Sequence, residues 1–392
     1  MEKTGRRARM KLVLANIGRI FTGDIREPVQ EGPLSIVIEE GKIKAVEKGP
    51  GGKGDKTIDA GGMTVCPGLI DSHTHPVFGD FTPRQNQLGF IESSLHGGVT
   101  SMISAGEVHL PGRPKDRQGT KALALLAHKS FAAVRPGGVK VYGGALILEK
   151  GLLEEDFKEL SAEGVWLVGE IGLGSVKTAA EAREMADWAR KYGMKVLMHV
   201  GGTSVPGSST VTCDDVLTAK PTVACHLNGG PTSVSVPEAK KVIDRSEAAI
   251  EVVHCGNPRT AVEIVQYLKE KGALSRLIIG NDAPSGTGVI PLGMWRMVNF
   301  ISALCDIPAE VALCCATGNT KSVFSLKEGM VKPGEAADLQ VIDAPMGSAG
   351  GDAKAAIEAG DIPGIAAVLV DGVVKAEVSR NTPPPVRRIT VS

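Results

Sequence analysis

Apolar and polar positions fall into two regimes along the chain. Near the start, Lys11 to Phe21 is an apolar run, Leu34 to Glu39 alternates, and Gly41 to Val46 follows a Glu-Gly turn. Runs of this length bounded by turn residues predict β-strands. A glycine-rich stretch, Gly49 to Gly54, then reads as a loop. Toward the end, Ala337 to Ile342 and Ile365 to Val374 are strand-like again, the second interrupted by Asp371-Gly372. Two β-rich ends around a different middle predict one small β-sandwich assembled from both termini.

The middle alternates short apolar strands with helical stretches. Strands are expected at Thr64–Ile70, Thr100–Ser104, Val139–Gly143, Trp166–Val168, Lys195–Met198, Thr222–Cys225, Ala249–Val253 and Arg276–Ile279. Helices are expected between them, among them Arg84–His96, Thr120–Ala133, Thr178–Tyr192 and Arg259–Lys271. Eight such units over roughly 250 residues fit the α/β class and, within it, a (β/α)8 TIM barrel. A doubly wound open sheet would carry a Gly-rich phosphate turn after its first strand, and none stands there. The expected boundaries are 10–65 for the first part of the sandwich, 66–330 for the barrel, and 331–392 for the rest of the sandwich and a tail. Trp166, Trp188 and Trp295 read as barrel and helix core. The Asn381-Thr-Pro-Pro-Pro segment reads as extended, open equally to disorder and to clasping a neighbouring subunit.

Composition narrows the function classes. A chain of 392 residues suits one large domain with a lesser one. Its 44 basic and 44 acidic side chains balance, so charge gives no reason to expect nucleic acid or an anionic membrane as partner. Arg6, Arg7 and Arg9 precede an apolar stretch, Leu12 to Ala15, that is too short for a signal-peptide core. No run approaches the roughly 20 apolar residues of a membrane span, and the expected compartment is the cytoplasm. Met1 and Met10 both stand as candidate native starts. Seven cysteines without a paired CxxC spacing point to reduced, mostly buried thiols.

In a (β/α)8 barrel the functional residues sit at the C-terminal ends of strands. Here strand one ends in Asp71-Ser-His73-Thr-His75, strand four in Gly169-Glu170, strand five in Met198-His199, strand six in Cys225-His226 and strand eight in Asn281-Asp282. Four of the eight histidines therefore fall at these five strand ends. A lone HxH or a single strand-end histidine is more often structural, but four imidazoles and two carboxylates on one rim make a polar cluster that calls for metal. Alternation puts His73 and His75 on one side of their strand. They are expected to hold a first divalent ion and His199 and His226 a second, with Glu170 bridging. Asp282 is expected to bind the first ion and to act as the general acid–base. Two ions roughly 3.5–4 Å apart share a bridging hydroxide and polarise a carbonyl oxygen, which is hydrolytic chemistry.

The run Asp59-Ala-Gly-Gly-Met-Thr-Val-Cys-Pro-Gly-Leu-Ile-Asp71-Ser-His73-Thr-His75 resembles the entry of the amidohydrolase superfamily into its barrel. Pro333-Gly-Glu-Ala-Ala-Asp338 and Val370-Asp-Gly-Val-Val resemble its returning sandwich strands, so the similarity spans almost the whole chain. Many relatives bridge their metals with a carboxylated lysine on strand four. The matching place here is Glu170, and Lys177 lies too far along the following loop. The loops His96–Gly106, Pro111–Asp116, Gly201–Thr210 and Gly280–Gly288 are similar to those of a cyclic-amide-opening branch of that superfamily. The resemblance implies hydrolysis of 6-oxo-1,4,5,6-tetrahydronicotinate to 2-formylglutarate and ammonia. It also implies a zinc–iron centre, or a second zinc in place of iron, and a homotetramer.

A substrate of that class carries a carboxylate. Arg84, Arg113 and Lys115 are candidates to pair with it, the arginines in bidentate fashion. His109, Thr203 and Asn228 are further candidate substrate contacts, each equally readable as an ordinary loop residue. Strand seven ends in Val253-His254-Cys255, where a polar non-ligand such as Gln is expected, so His254 is either a packed imidazole or a substrate contact. Competing functions are a dihydroorotase-like, imidase-like or deacetylase-like amidohydrolase, or a non-catalytic scaffold. The scaffold reading meets the difficulty that all six ligand positions are filled. A single-metal nucleobase deaminase fits less well, because its catalytic Glu stands apart from the metal.

Overall fold

The computed structural model describes residues 10–76, 83–108, 110, 112–203, 210–229, 232–284 and 289–392, with side chains described for all of these except 83–88. The opening apolar runs form β1 (Lys11–Phe21), β2 (Val29–Glu39), β3 (Lys42–Lys48), β4 (Lys56–Asp59) and β5 (Thr64–Pro67). The strand expected over Thr64–Ile70 is cut at Gly68. β5 stays with the terminal strands, and β6 (Leu69–Thr74) opens a different sheet. The residue at the cut has to be glycine. A Cβ at Gly68 would lie 2.1 Å from Thr100 Oγ1, while its N–H bonds the Asp338 carbonyl at 2.9 Å.

Seven further parallel strands follow: β7 (Val99–Ser104), β8 (Lys140–Tyr142), β9 (Leu167–Ile171), β10 (Lys195–His199), β11 (Val223–Cys225), β12 (Ala249–Val253) and β13 (Leu277–Gly280). They pair in sequence order as β6-β7-β8 and as β9 through β13. Backbone bonds join the two sheets at both margins. Leu146, just past β8, exchanges bonds with Leu167 and Gly169, and beyond β13 Asp282 and Ala283 bond His73 and His75. A helix follows each strand: α1 (Pro83–His96), α2 (Arg117–Ala133), α3 (Glu154–Ala162), α4 (Ala179–Lys191), α5 (Cys213–Ala219), α6 (Val236–Arg245), α7 (Pro258–Glu270) and α8 (Gly293–Cys305). Several begin on a side-chain N-cap, namely Asp116, Thr178, Ser235 and Asn257, whose oxygens satisfy first-turn N–H groups.

Period-two alternation divides each strand between two cores. Ile70, Ile103, Leu167, Leu197, Val223, Ala249 and Ile278 meet in one cluster, with Tyr142 packed against it, so every parallel strand contributes. Alternate positions such as Val196, Met198, Ile250 and Val252 join the larger core that includes the helices. Of three register shifts between neighbouring parallel strands, two lie next to the candidate ligands. In β9 one extra residue lies between Val168 and Ile171, opposite Val196 and Met198 of β10. In β6 one lies between Asp71 and Thr74. Each bulge exchanges the faces of the residues that follow it, and Glu170, His73 and His75 lie at or just beyond them.

The last part of the chain adds β14 (Leu339–Asp343), β15 (Gly364–Val370), β16 (Val373–Glu377) and β17 (Thr390–Val391). β14 pairs antiparallel with β5, so both ends of the chain enter one nine-stranded sheet ordered β16-β15-β14-β5-β1-β2-β3, with β4 on β1 and β17 on β4. Leu14, Ile17, Ile36, Val65, Leu339 and Val341 belong to its separate core. The terminal segment is anchored on its own chain. Asn381 Nδ2 donates to the Ser93 carbonyl at 2.7 Å, Arg387 Nε to Asp343 Oδ2 at 2.9 Å, and β17 pairs with β4. Among the described residues no helix is long and apolar enough to cross a membrane.

Gly280 ends β13 where it runs closest to β6. A Cβ there would stand 2.6 Å from His73 Cβ and 3.0 Å from both His73 N and Ser72 Oγ. Gly280→Ala is expected to destabilise the fold by about 1–3 kcal/mol through overpacking, measured by chemical denaturation, with loss of the His73 geometry described next.

Candidate metal centre

The two bulges and the ends of five parallel strands bring His73, His75, Glu170, His199, His226 and Asp282 together. His73, His75 and Asp282 form one tight group and Glu170, His199 and His226 a second. His73 Nε2 and His75 Nε2 stand 3.3 Å apart, and Asp282 Oδ1 is 3.6 Å and 3.2 Å from them. His199 Nδ1 and His226 Nε2 are also 3.3 Å apart. Glu170 lies between the pairs. Its Oε2 is 3.5 Å from His73 Nε2 and 3.6 Å from His75 Nε2, while its Oε1 is 2.6 Å from His226 Nε2 and 3.9 Å from His199 Nδ1.

The outer ring nitrogens fix the tautomers. His73 Nδ1 faces Glu251 Oε2 at 2.8 Å, His75 Nδ1 the Gly106 carbonyl at 2.9 Å, and His199 Nε2 the Gly202 carbonyl at 2.7 Å. Each acceptor requires an N–H, so the opposite nitrogen of the neutral ring turns a lone pair inward. Facing lone pairs at 3.3 Å repel unless a cation or proton lies between them, and the added carboxylate oxygens make this donor set one that fits divalent ions. Protons take that role when no metal is bound. Burial pushes the His73 imidazole down, but Glu251, Glu170 and Asp282 together lift it well above the usual range. Burial likewise works against ionising Glu170, yet His73 and His226 hold its carboxyl well below the ordinary value. Asp282 is held low too, against burial, by His73, His75 and His226.

Two of the six residues have left-handed backbones, His226 at φ +33° and Asp282 at φ +56°. Such strain persists only where surrounding bonds over-determine it. The Asp282 N–H bonds the His73 carbonyl at 2.9 Å, and Cys255 Sγ donates to Asp282 Oδ2 at 3.1 Å, leaving Oδ1 toward the histidines. Asp71 ties β6 to the segment after β13, accepting from Asn281 N at 2.9 Å and Asn281 Nδ2 at 2.7 Å.

The candidate substrate contacts separate. The side chain of Arg84 and the whole of His109 lie outside the described residues. Arg113 is paired with buried Glu149, Nη1 to Oε1 at 2.7 Å, and Ser175 N bonds the other Glu149 oxygen at 2.8 Å, so this pair fastens three strand-end loops together. Both amide groups of Asn228 engage the Val253 main chain, at 3.0 Å and 2.8 Å. Lys115 and Thr203 are exposed, and His254 is half-buried, its imidazole pushed down by burial and by Arg296. Glu251, Asp71 and Cys255 were not singled out for roles by the sequence. For Glu251 a signal existed: it is the one charge inside the apolar strand Ala249–Val253, where an ionised carboxylate needs partners.

Eight β/α units with a buried rim of histidines and carboxylates define a metal-dependent hydrolase, and the chain belongs to the amidohydrolase family, whose model matches residues 64–375. Within that family it is 55% identical over 377 residues to the enamidase of Eubacterium barkeri, covering 95% of this chain and 97% of that protein. A crystal structure of enamidase superposes with a TM-score of 0.93 at 53% identity, covering 97% of this chain and 100% of that one. A dihydroorotase of Aquifex aeolicus is 24% identical over 67% of this chain and 59% of its own length.

Glu107, beyond the end of β7, is a buried acid outside the rim. Among the described residues its Oε1 has no hydrogen-bond partner, and it lines a cavity of about 10 Å³, room for about one water. Burial pushes its carboxyl from 4.5 up to about 8. Between those values the folded chain holds a proton that the unfolded chain has lost, so stability falls as pH rises through that window. Glu107→Gln removes this dependence. It is expected to raise Tm at pH 9 by roughly 2–5 °C relative to the parent and to leave Tm at pH 4 nearly unchanged, as read by thermal melts at both pH values.

Proposed function

We propose that the chain is a binuclear hydrolase of a cyclic enamide, converting 6-oxo-1,4,5,6-tetrahydronicotinate to 2-formylglutarate and ammonia. The observation that carries this reading is Glu170, which turns one carboxylate oxygen to each of two histidine pairs beside Asp282. The extent of similarity to enamidase supports the choice of substrate. In this reading His73, His75 and Asp282 hold one divalent ion, His199 and His226 the other, and Glu170 both, with zinc and iron or two zincs as the pair. The same reading takes the two parallel sheets, bonded at both margins, as one closed (β/α)8 barrel that runs to 330 and opens at β6, later than the expected start at 66, because Cys66 and Pro67 pair with β14 in the terminal sheet. The terminal sheet is then the sandwich built from 10–67 and 331–392, in a homotetramer.

Divalent ions at these positions supply Lewis acidity to the amide carbonyl and acidify water. The chain's own groups manage the protons. Asp282, its Oδ2 held by Cys255, accepts the proton of the attacking water and returns it to the ring nitrogen as the C–N bond breaks. The freed enamine then exchanges its nitrogen for the oxygen of a second water, giving the aldehyde and ammonia. Five of the six rim side chains are almost wholly buried and Asp282 is partly exposed, so the contacts among the five are the ones that burial strengthens most.

Purified, metal-replete protein is expected to release ammonia from 6-oxo-1,4,5,6-tetrahydronicotinate. A chelator should abolish the release, and Asp282→Asn should lower kcat by about 10²–10⁴-fold. No release from protein shown by elemental analysis to hold two metals per chain would retain the hydrolase and refute this substrate, turning attention to other cyclic amides and imides.

A further inference from the structure

Given that the six rim residues bind two ions as inferred above, we propose that Glu251 is a positioning residue that assembles both halves of the centre from a single buried carboxylate. Glu251 sits mid-strand in β12 and is fully buried. Its Oε2 faces His73 Nδ1 at 2.8 Å and accepts the backbone N–H of His226 at 3.1 Å. Its Oε1 accepts from Ser72 Oγ at 2.5 Å, and its carbonyl accepts from Leu227 N at 2.9 Å. One side chain therefore touches a ligand of the first pair through its ring and a ligand of the second through its main chain.

The two contacts do different work. Toward His73 the carboxylate demands an Nδ1–H, which leaves the Nε2 lone pair facing Glu170 and Asp282. Toward His226 it holds the peptide on the near side of a left-handed residue, φ +33°, while the Glu251 carbonyl holds the next peptide. Those two bonds maintain a backbone conformation that an L-residue rarely adopts, and that conformation carries the ring to Glu170 Oε1. Removing the charge weakens the one oxygen that accepts from both N–H groups, loosening the His73 ring and the His226 backbone together, so both ions are weakened, not one. Ser72 marks the contrast. Its hydroxyl staples β6 to the same carboxylate but touches neither ligand ring.

The test is zinc titration of metal-free protein in competition with a chromophoric chelator, for the parent chain, Glu251→Gln, Glu251→Asp and Ser72→Ala, with thermal melts of each metal-free form. Glu251→Gln is expected to fold and to bind both zincs about 10–100-fold more weakly. Glu251→Asp keeps the charge but shortens its reach. It is expected to weaken both ions to a lesser degree, and it carries the test if the Gln variant does not fold. Ser72→Ala is expected to bind zinc like the parent. Parent-like affinity in both Glu251 variants, or weakening confined to one ion, overturns the proposal. A parent chain that takes up no zinc overturns the ligand assignment itself, and a parent that binds two zincs but leaves the enamide intact overturns only the substrate.

Discussion

His73 and His75 turn lone pairs toward each other across 3.3 Å, an arrangement that cannot be buried without positive charge between them. Much of the rim answers to that constraint. Glu170 serves both pairs at once because its two oxygens point apart, and Asp282 closes the side of the first pair. Without cations the cluster must take up protons, and the raised imidazoles of His73 and His226 are the electrostatic trace of that requirement. The donors therefore have to be delivered with their tautomers already chosen. The carbonyls of Gly106 and Gly202 and the carboxylate of Glu251 do so by accepting from the outer nitrogens.

Delivery depends on backbone detail that a period-two pattern does not contain. Strict alternation from Ile70 would place positions 72 and 74 with the inner cluster and turn His73 and His75 toward the helices. The bulge between Asp71 and Thr74 reverses that. The bulge in β9 does the same for Glu170, and it sits at a glycine for a reason. A Cβ on Gly169 would come within 2.6 Å of Ile147 Cδ1 and 2.7 Å of the Ala105 carbonyl. Gly280 permits the matching close approach of β13 to His73. Glycines at strand ends thus act as spacing elements that set how near two ligand-bearing strands can come.

These features explain what the sequence could and could not reveal. Alternating β and α segments were legible because each strand is short, apolar and punctuated, and the Ala249–Val253 prediction coincides with β12. The six rim positions were legible because histidines concentrate at strand ends. The division at Gly68 carried one local signal, the Pro67-Gly68 turn dipeptide inside the Thr64–Ile70 segment, while the partners that set it, Thr100 and Asp338, lie far along the chain. The pairing of Arg113 was not legible, because Glu149 lies 36 residues away, beyond the next strand. The terminal segment was misjudged as equally open to disorder because its anchors, Ser93 and Asp343, come from distant parts of the chain.

Strand ends and loops carry different burdens in this arrangement. Glu170 and Glu251 are set by strand register, while Asp282 and the Gly106 and Gly202 carbonyls lie within three residues of a strand end. Of the cations proposed for a substrate carboxylate, the geometry commits one elsewhere. Arg113 is held by Glu149 at 7% exposure, and withdrawing it would leave a buried acid unpaired. With Ser175 N on the other Glu149 oxygen, the pair is a clamp among loops. Asn228 is bound to the β12 main chain in the same way. His254 is not tied down in this way to the β12 main chain: it is only partly buried, its imidazole is pushed down by burial and by Arg296, and it adjoins Cys255, which bonds Asp282.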